Sequence, residues 1–331
     1  MKKILVTGSE GFIGSHLVET LLKKKYKVKA LVQYNSFISV GWINDLINKD
    51  SKNLQIIFGD IRDMSFINKI SQDCDVVFNL AALIGIPYSY YAPMSYFETN
   101  VKGTLNILEA AKRNKTKRVI ITSTSEVYGT GQYLPIDEKH PLVGQSPYAA
   151  SKISADQLAM SYYYSFDLPV TIIRPFNTYG PRQSFRAIIP TIIQQLLTNK
   201  KKEINLGNIK TTRDFSYVSD TVNGFVKSIN AKSNGEIINL GSGFEISIEE
   251  LVKEIGYVLE EKVIIKEDMK RLRPKKSEVE RLKSSNIKAK KLLKWKPKFV
   301  GKKGLREGIK KTLNWFLKNK QLLPKKNSYN I

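Results

Sequence analysis

The sequence predicts an α/β chain in which a doubly wound parallel sheet carries a second, smaller α/β lobe. Three observations support this. Near-continuous apolar runs alternate with amphipathic stretches over the first half, the pattern of parallel strands covered by helices on both faces. A glycine trio, Gly8, Gly11 and Gly14, falls between the first apolar run and the first helical one. After about residue 176 the alternation loosens, which places further segments outside the large sheet.

Taken in order, KKILVTG reads as a buried strand. GFIGSHLVETLLKKK reads as a helix with Phe12, Ile13, Leu17, Leu21 and Leu22 on one face. KVKALV, LQIIFGD, DVVFNLA, RVIITST and PVTIIRPF are the following strands, with helical patterns at about 63–72, 95–113 and 147–166. Beyond them come a helix near 186–199, strand EINLG, the mixed stretch DFSYVSDTVNGFVKSI, strand GEIINLG, helix IEELVKEIGYVLE, strand KVIIKE and the helix GLREGIKKTLNWFLK. The expected division is a first domain over 1–175 with a returning segment at about 213–240, a lobe built from about 176–212 and 241–320, and a frayed polar tail over 321–331.

Composition narrows the function classes. The 331 residues are 42% hydrophobic, ample for a core. Cys74 is the single cysteine, so no internal disulfide is possible, and with only His16 and His140 no Cys/His metal cluster can form. No metal is expected. These features fit a reducing cytosol, and neither a signal peptide nor an apolar run of membrane-spanning length is visible. A cytoplasmic protein with no membrane partner is the expectation. Lys and Arg outnumber Asp and Glu by 54 to 30, a net charge of +24. The lysines are scattered along the chain, densest after residue 262, without basic stripes interleaved with aromatics. That is a solvated surface, and no nucleic-acid partner is expected.

Glycines between a strand and a helix let the backbone approach a pyrophosphate, while the helix N-terminus offers amide donors. GDIRD at 59–63 supplies an adenine-side contact after the third strand. An acid at the end of the second strand would select NAD through the ribose 2'-hydroxyl, and an arginine there would grip the 2'-phosphate of NADP. The sequence has Gln33-Tyr34-Asn35-Ser36 at that point, so the choice stays open.

Downstream, TSTSEVYG (Thr122 to Gly129) puts a carboxylate among hydroxyls at the end of a strand, and YAASK follows. Tyr148 and Lys152 lie one helical turn apart on one face. A phenol titrates near pH 10 and needs help to act as a base near neutrality. A neighbouring lysine charge and a positive nicotinamide ring both favour the phenolate. Thr124 is placed to hydrogen-bond the same substrate hydroxyl.

Tyr148, Lys152, Thr124 and the glycine trio resemble the short-chain dehydrogenase/reductase superfamily, in its extended, nucleotide-sugar-modifying branch. The likeness covers nearly the whole chain, with Asn100 in TNVKGT, Asn177 in RPFNTYGPR, Arg213 in TRDFSYVSD and Arg273 in RLRPKKSEV in the order of that branch. It implies a Rossmann domain and a tightly bound NAD(P) regenerated in each cycle. Cofactor contacts are implied at Gly8, Gly11, Phe12, Ile13, Gly14, Tyr34, Asn35, Ser36, Asp60, Ile61, Ala81, Ala82, Asn100, Tyr148 and Lys152.

Glu126 narrows this further. Epimerases and simple alcohol oxidoreductases need only the hydroxyl, tyrosine and lysine, because their chemistry is hydride and proton transfer at one carbon. An added carboxylate suits a second event: once C4 of a hexose is a ketone, the C5 hydrogen becomes acidic, and a base can remove it and expel the C6 hydroxyl as water. Hydride return to C6 then gives a 4-keto-6-deoxy sugar. The triplet Thr124-Ser125-Glu126 resembles that of sugar 4,6-dehydratases, especially the GDP-mannose type. It departs from the dTDP-glucose type, which keeps an acidic aspartate at the Ser125 position, and so leaves the acid for the leaving hydroxyl open. The alternative for Glu126 is a salt-bridged surface acid at a strand end.

Asn177, Arg213 and Arg273 offer an amide and two forked cations suited to a nucleotide diphosphate, with Arg186 a further candidate. LIGIPYSYYAP, Leu83 to Pro93, is expected to line the hexose pocket through Ile86 and Tyr88. Several local runs resemble bacterial dehydratases of legionaminic acid synthesis, which implies GDP-N-acetylglucosamine as substrate. The helices near 95–113 and 147–166, with Tyr162, Tyr163 and Tyr164, imply by the same resemblance a homodimer or dimer of dimers. The rival readings are a UDP-glucuronate decarboxylase, a sugar nucleotide 4-epimerase, and a cofactor-holding binding protein without chemistry.

Overall fold

Strand assignment follows the apolar runs. The computed structural model describes residues 1–47 and 52–323. Its strands are β1 (Lys3–Thr7), β2 (Lys27–Gln33), β3 (Leu54–Gly59), β4 (Val76–Asn79), β5 (Arg118–Thr122), β6 (Val170–Pro175), β7 (Asn177–Tyr179), β8 (Glu203–Leu206), β9 (Thr212–Tyr217), β10 (Glu236–Leu240), β11 (Glu245–Ser247) and β12 (Ile264–Glu267). Seven of them form one parallel sheet in the order β10-β6-β5-β4-β1-β2-β3. The chain runs outward from β1 to β3 and then returns to lay β4 on the other side of β1. A crevice must open above the carboxyl ends of β1 and β4, where successive connections diverge to opposite faces. This is a Rossmann-like, doubly wound arrangement.

The period of two along a strand sorts the core. Ile4 and Val6 of β1 pack on one face with Leu17, Val18, Leu21 and Leu22 of the helix Phe12–Lys23. Leu5 points to the other face, into a cluster with Ile107, Leu108 and Ala159 from the helices Gly103–Arg113 and Pro147–Phe166. Both faces are thus closed, and polar chemistry is left to the strand ends.

The smaller lobe contains the sheet β11-β9-β7 and the pair β12-β8. The returning segment begins later than expected: Thr212–Tyr217 pairs with β7 and β11, and the helix Val218–Ser228 followed by β10 makes the return. Strand propensity alone does not specify a partner, and the expectation at residue 213 failed for that reason. The pattern at 95–113 is not one regular helix either. It widens into a π-type turn over Phe97–Lys102 before Gly103–Arg113, where the Thr104 hydroxyl donates to the Asn100 carbonyl at 2.6 Å. Tyr162 is buried with its hydroxyl donating to Glu109, and Tyr163 packs against Gly235, so Tyr164 alone of the three is exposed. Residues 324–331 of the expected polar tail lie outside the described residues. Among the described residues no helix is long and apolar enough to cross a membrane, and no group of three or more His, Cys, Asp or Glu could hold a metal ion.

His16 ties the first helix to the chain beyond β7 through Nε2, 3.0 Å from the Pro181 carbonyl. Burial lowers its pKa from 6.5 to about 4, so the folded protein holds it neutral. Between those values the unfolded chain binds a proton that the folded one does not. The resulting stability is complete above pH 6.5 and is lost as pH falls toward 4, a loss of about 3 kcal/mol. Urea unfolding of wild type and His16→Gln across that range should show a smaller decline for the variant; equal declines would refute this assignment.

Candidate active site

A continuous cleft of about 700 Å³ runs along the carboxyl edge of the large sheet and under the smaller lobe. Its floor at one end is the glycine loop. Gly8 has φ +64°, and a Cβ there would lie 2.9 Å from the Ala81 backbone nitrogen. A Cβ on Gly14 would lie 2.0 Å from the Gly8 carbonyl oxygen. Only glycine lets the helix N-terminus close this tightly on β1 and β4. Gly11, Phe12, Ile13, Asp60, Ile61, Ala81 and Ala82 line the same end. A bare cradle of backbone at a helix N-terminus, at the switch point of the sheet, fits a dinucleotide pyrophosphate.

Four expected cofactor or substrate positions do not line the cleft. Tyr34 is 73% exposed, and Ser36 is exposed beside it. Asn35 closes its own loop, accepting from the Ser39 N–H and donating to the carbonyls of Gln33 and Ser39. Tyr88 is 40% exposed, with its ring 6.1 Å from that of Tyr96. Asn100, a fifth, is buried behind the cleft wall. Its amide donates to the Leu83 carbonyl and to Ser151, and its oxygen accepts from the Leu83 N–H, each at 2.9 to 3.0 Å. It therefore positions the loop after β4 rather than touching a ligand. In their place the cleft takes Gln33 from β2 and Glu10 from the glycine loop, while the expected Ile86 lines it after β4 together with Ile84, Gly85 and Pro87.

At the middle of the cleft the strand β5 ends and delivers Thr124, Ser125 and Glu126. Thr124 is extended and caps a 3-10 turn over Ser125–Tyr128, its hydroxyl accepting the Glu126 N–H at 3.2 Å. Tyr148 and Lys152 project from the first turns of Pro147–Phe166, whose N-terminus is capped by Ser146. Burial pushes the Tyr148 phenol well above its ordinary value; a hydrogen bond with Thr124 opposes this, while the nearby Glu126 and Tyr96 add to it. Burial likewise lowers Lys152 to about 8, opposed by Asp156. The Lys152 ammonium donates to the Thr122 carbonyl at 2.5 Å. Burial outweighs the Thr124 hydrogen bond, so the protein by itself keeps Tyr148 protonated.

Sequence reasoning missed what stands behind Lys152. Asp156, one further turn along the helix, is fully buried and accepts from Ser123 at 2.8 Å and from Arg174 Nε at 3.0 Å. Arg174 also donates to the Tyr128 hydroxyl at 2.9 Å. The recurrence of polar groups at 148, 152 and 156 was the available signal.

Beneath the smaller lobe the other end of the cleft is strongly charged. Arg273 Nη1 lies 3.8 Å from Glu126 Oε2 and 4.0 Å from Glu278 Oε1, and Arg213 Nη2 is 3.4 Å from Glu278 Oε1. Burial lowers Arg213 from its ordinary value, with Glu126 the largest opposing influence. The Arg273 Nη1 and Asn177 Nδ2 atoms are buried without hydrogen-bond partners among the described residues. Donors left open on a cleft wall suit an anionic, oxygen-rich ligand such as a diphosphate. Arg186 is exposed and reaches toward Gly85 and Tyr96. Tyr90 and Ser277 hydroxyls meet at 2.6 Å, joining the loop after β4 to the segment that carries Arg273.

Relatives align with nearly the whole of this chain. The dTDP-D-glucose 4,6-dehydratase of Homo sapiens is 33% identical over 327 residues, 96% of this chain and 91% of the human protein. A UDP-N-acetyl-alpha-D-glucosaminuronate decarboxylase of Bacillus cytotoxicus is 34% identical over 325 residues, 95% of this chain and 98% of the relative. Among solved structures, a dTDP-glucose 4,6-dehydratase from Streptomyces venezuelae with NAD bound aligns with a TM-score of 0.85 at 30% identity, over 96% of this chain and 98% of that one. The family described as GDP-mannose 4,6 dehydratase matches residues 5–308, from within β1 to within the helix Gly301–Lys318. Since that match takes in the glycine cradle, the Thr124-to-Glu126 turn and the arginine-bearing cleft wall together, the chain belongs to the GDP-mannose 4,6 dehydratase family.

Proposed function

We propose that the protein is an NAD(P)-dependent nucleotide-sugar 4,6-dehydratase, with GDP-N-acetylglucosamine as its substrate and a 4-keto-6-deoxy sugar as product. The carrying observation is that Glu126 turns into the cleft beside Thr124 and Tyr148 and under Arg273, instead of lying on the surface. An epimerase would have no use for a base there. A bound nicotinamide dinucleotide would supply the two-electron acceptor and donor, and its positive charge would favour the phenolate of Tyr148. Tyr148 takes the proton of the C4 hydroxyl, which Thr124 orients, and Lys152 carries a positive charge in the same pocket. Glu126 removes the C5 proton, and the C6 hydroxyl departs as water after receiving a proton; Glu126, having just gained one, is the donor we assign. The proton that left the C4 hydroxyl balances the one needed back at C5. Ser125 is 3% exposed and lines the cleft, and we assign its hydroxyl to hydrogen-bond the leaving group.

Asn177, Arg213, Arg273 and Arg186 are assigned to the nucleotide diphosphate, and Ile86 with its neighbours to the hexose. A homodimer through the helices near 95–113 and 147–166 is part of the proposal, supported by Phe97, Tyr164 and Phe166, which those stretches leave exposed. A monomer mass by analytical ultracentrifugation would contradict it.

The decarboxylase relative favours a second reading, in which the same 4-keto intermediate loses carbon dioxide from a sugar acid. Incubation with a panel of GDP-, UDP- and dTDP-hexoses and their uronic acids, with products weighed by mass spectrometry, separates the readings. Loss of one water from a GDP-hexosamine supports the proposal. Loss of carbon dioxide, an unchanged mass with altered configuration, or no conversion would support decarboxylation, epimerisation or a binding role instead.

A further inference from the structure

The dinucleotide reading of the cleft leaves one discrimination unexplained, because β2 ends in Gln33 with no acid behind it to meet a ribose. Glu10, in the glycine loop, reaches that spot from the side. Its Oε1 accepts the Gln33 backbone N–H at 3.0 Å, which fixes the carboxylate across the end of β2. Gly41 closes on its other flank: a Cβ there would lie 2.7 Å from the Glu10 carbonyl oxygen, and the Trp42 N–H donates to that oxygen at 3.2 Å. The second carboxylate oxygen, Oε2, is buried and has no hydrogen-bond partner among the described residues. Glu10 and Gln33 both line the cleft.

A buried carboxylate oxygen without a donor is costly. Glu10 lines the ligand cleft, and a small turn of its carboxylate brings that oxygen to a donor on a bound ligand. In a doubly wound sheet the end of the second strand faces the adenosine ribose. We propose that Glu10 replaces the missing strand-end acid, accepting a hydrogen bond from the ribose 2'-hydroxyl through Oε2 and repelling a 2'-phosphate, so that the protein selects NAD over NADP. Arg62 is a cation on the same stretch of cleft wall, but its guanidinium is held bidentately by Asp60, at 2.6 Å for the closer contact. The inference rests on the NAD(P) reading above.

The test is calorimetric titration of protein stripped of co-purifying nucleotide, using NAD, NADP and 2'-deoxy-NAD. Wild type should bind NAD at least about tenfold more tightly than either of the others, the scale of a lost charge-assisted hydrogen bond. In Glu10→Gln the amide oxygen can still accept from Gln33, so the loop is kept. With its neutral amide nitrogen toward the ribose the variant loses the charge-assisted bond and the repulsion of a 2'-phosphate, so its NAD affinity should fall about tenfold and its preference for NAD over NADP should shrink by a similar factor. The assignment is overturned if wild type binds 2'-deoxy-NAD as well as NAD, if it prefers NADP, or if Glu10→Gln keeps the full preference. Failure of wild type to bind any dinucleotide would overturn the cofactor reading itself, and this inference with it. The wild-type arm with 2'-deoxy-NAD decides the matter even if the variant does not fold.

Discussion

Glu126→Gln is expected to stop water release while leaving the first oxidation intact. The amide has the shape of the carboxylate and can keep its oxygen turned toward Arg273 Nη1, 3.8 Å away. The Glu126 N–H that binds Thr124 belongs to the main chain, so the turn after β5 is kept. What the variant loses is a group able to take the C5 proton, and removing a positioned base costs about a thousandfold in rate. Mixed with its substrate in a single turnover, the variant should show the near-ultraviolet absorbance of reduced cofactor building up without a dehydrated product. Tyr148→Phe is the control, since without its phenol neither absorbance nor product should form. Wild-type product formation by Glu126→Gln would remove Glu126 from the mechanism and return the epimerase reading to contention. Product loss without any cofactor reduction would place Glu126 at the oxidation step instead.

The large sheet was legible because its strands are buried on both faces and so appear as uninterrupted apolar runs such as Lys3–Thr7 and Arg118–Thr122. The glycine loop was legible because its constraint is local: Gly8 and Gly14 must approach backbone within a few residues. Thr124, Glu126, Tyr148 and Lys152 were readable from residue type and spacing, and the cleft brings them together. Positions that depend on tertiary approach were less accessible. Tyr34, Asn35 and Ser36 follow β2 in sequence, but that loop bonds to itself, and Glu10 comes in from the glycine loop. Asn100 looked like a contact residue but is spent on Leu83 and Ser151, an arrangement that depends on the widened turn at Phe97–Lys102. Arg213 and Arg273 could be named from sequence, but their shared partner Glu278 could not, because the three meet only when β9 joins the smaller lobe.

Asp156→Asn should cost more stability than any other single change at the site, and should also move the pH profile. Asp156 and Arg174 are each 1% exposed at the side chain and lie 2.9 Å apart. Burial lifts the Asp156 carboxyl above its ordinary value, with Arg174, Ser123 and Lys152 opposing. Removing one partner of a buried pair leaves the other charge without compensation, at a cost of about 3–5 kcal/mol. Urea unfolding should show that loss as a lower midpoint with an unchanged slope. Removing both charges, as in Asp156→Asn with Arg174→Met, should recover part of it. Asp156 is also the group that raises the Lys152 pKa against burial. If the Lys152 charge serves the oxidation, wild-type rate falls above about pH 8, as lysine loses its proton. In Asp156→Asn that alkaline limb should begin at lower pH, since neutral Asn no longer favours the ammonium form. A purely structural role for Asp156 would lower the amount of folded enzyme but leave the shape of the pH profile unchanged. The profile, measured on the folded fraction, decides between the two: an unshifted limb would leave Asp156 as a packing element of the helix Pro147–Phe166, and a shifted one identifies it as the residue that keeps Lys152 charged.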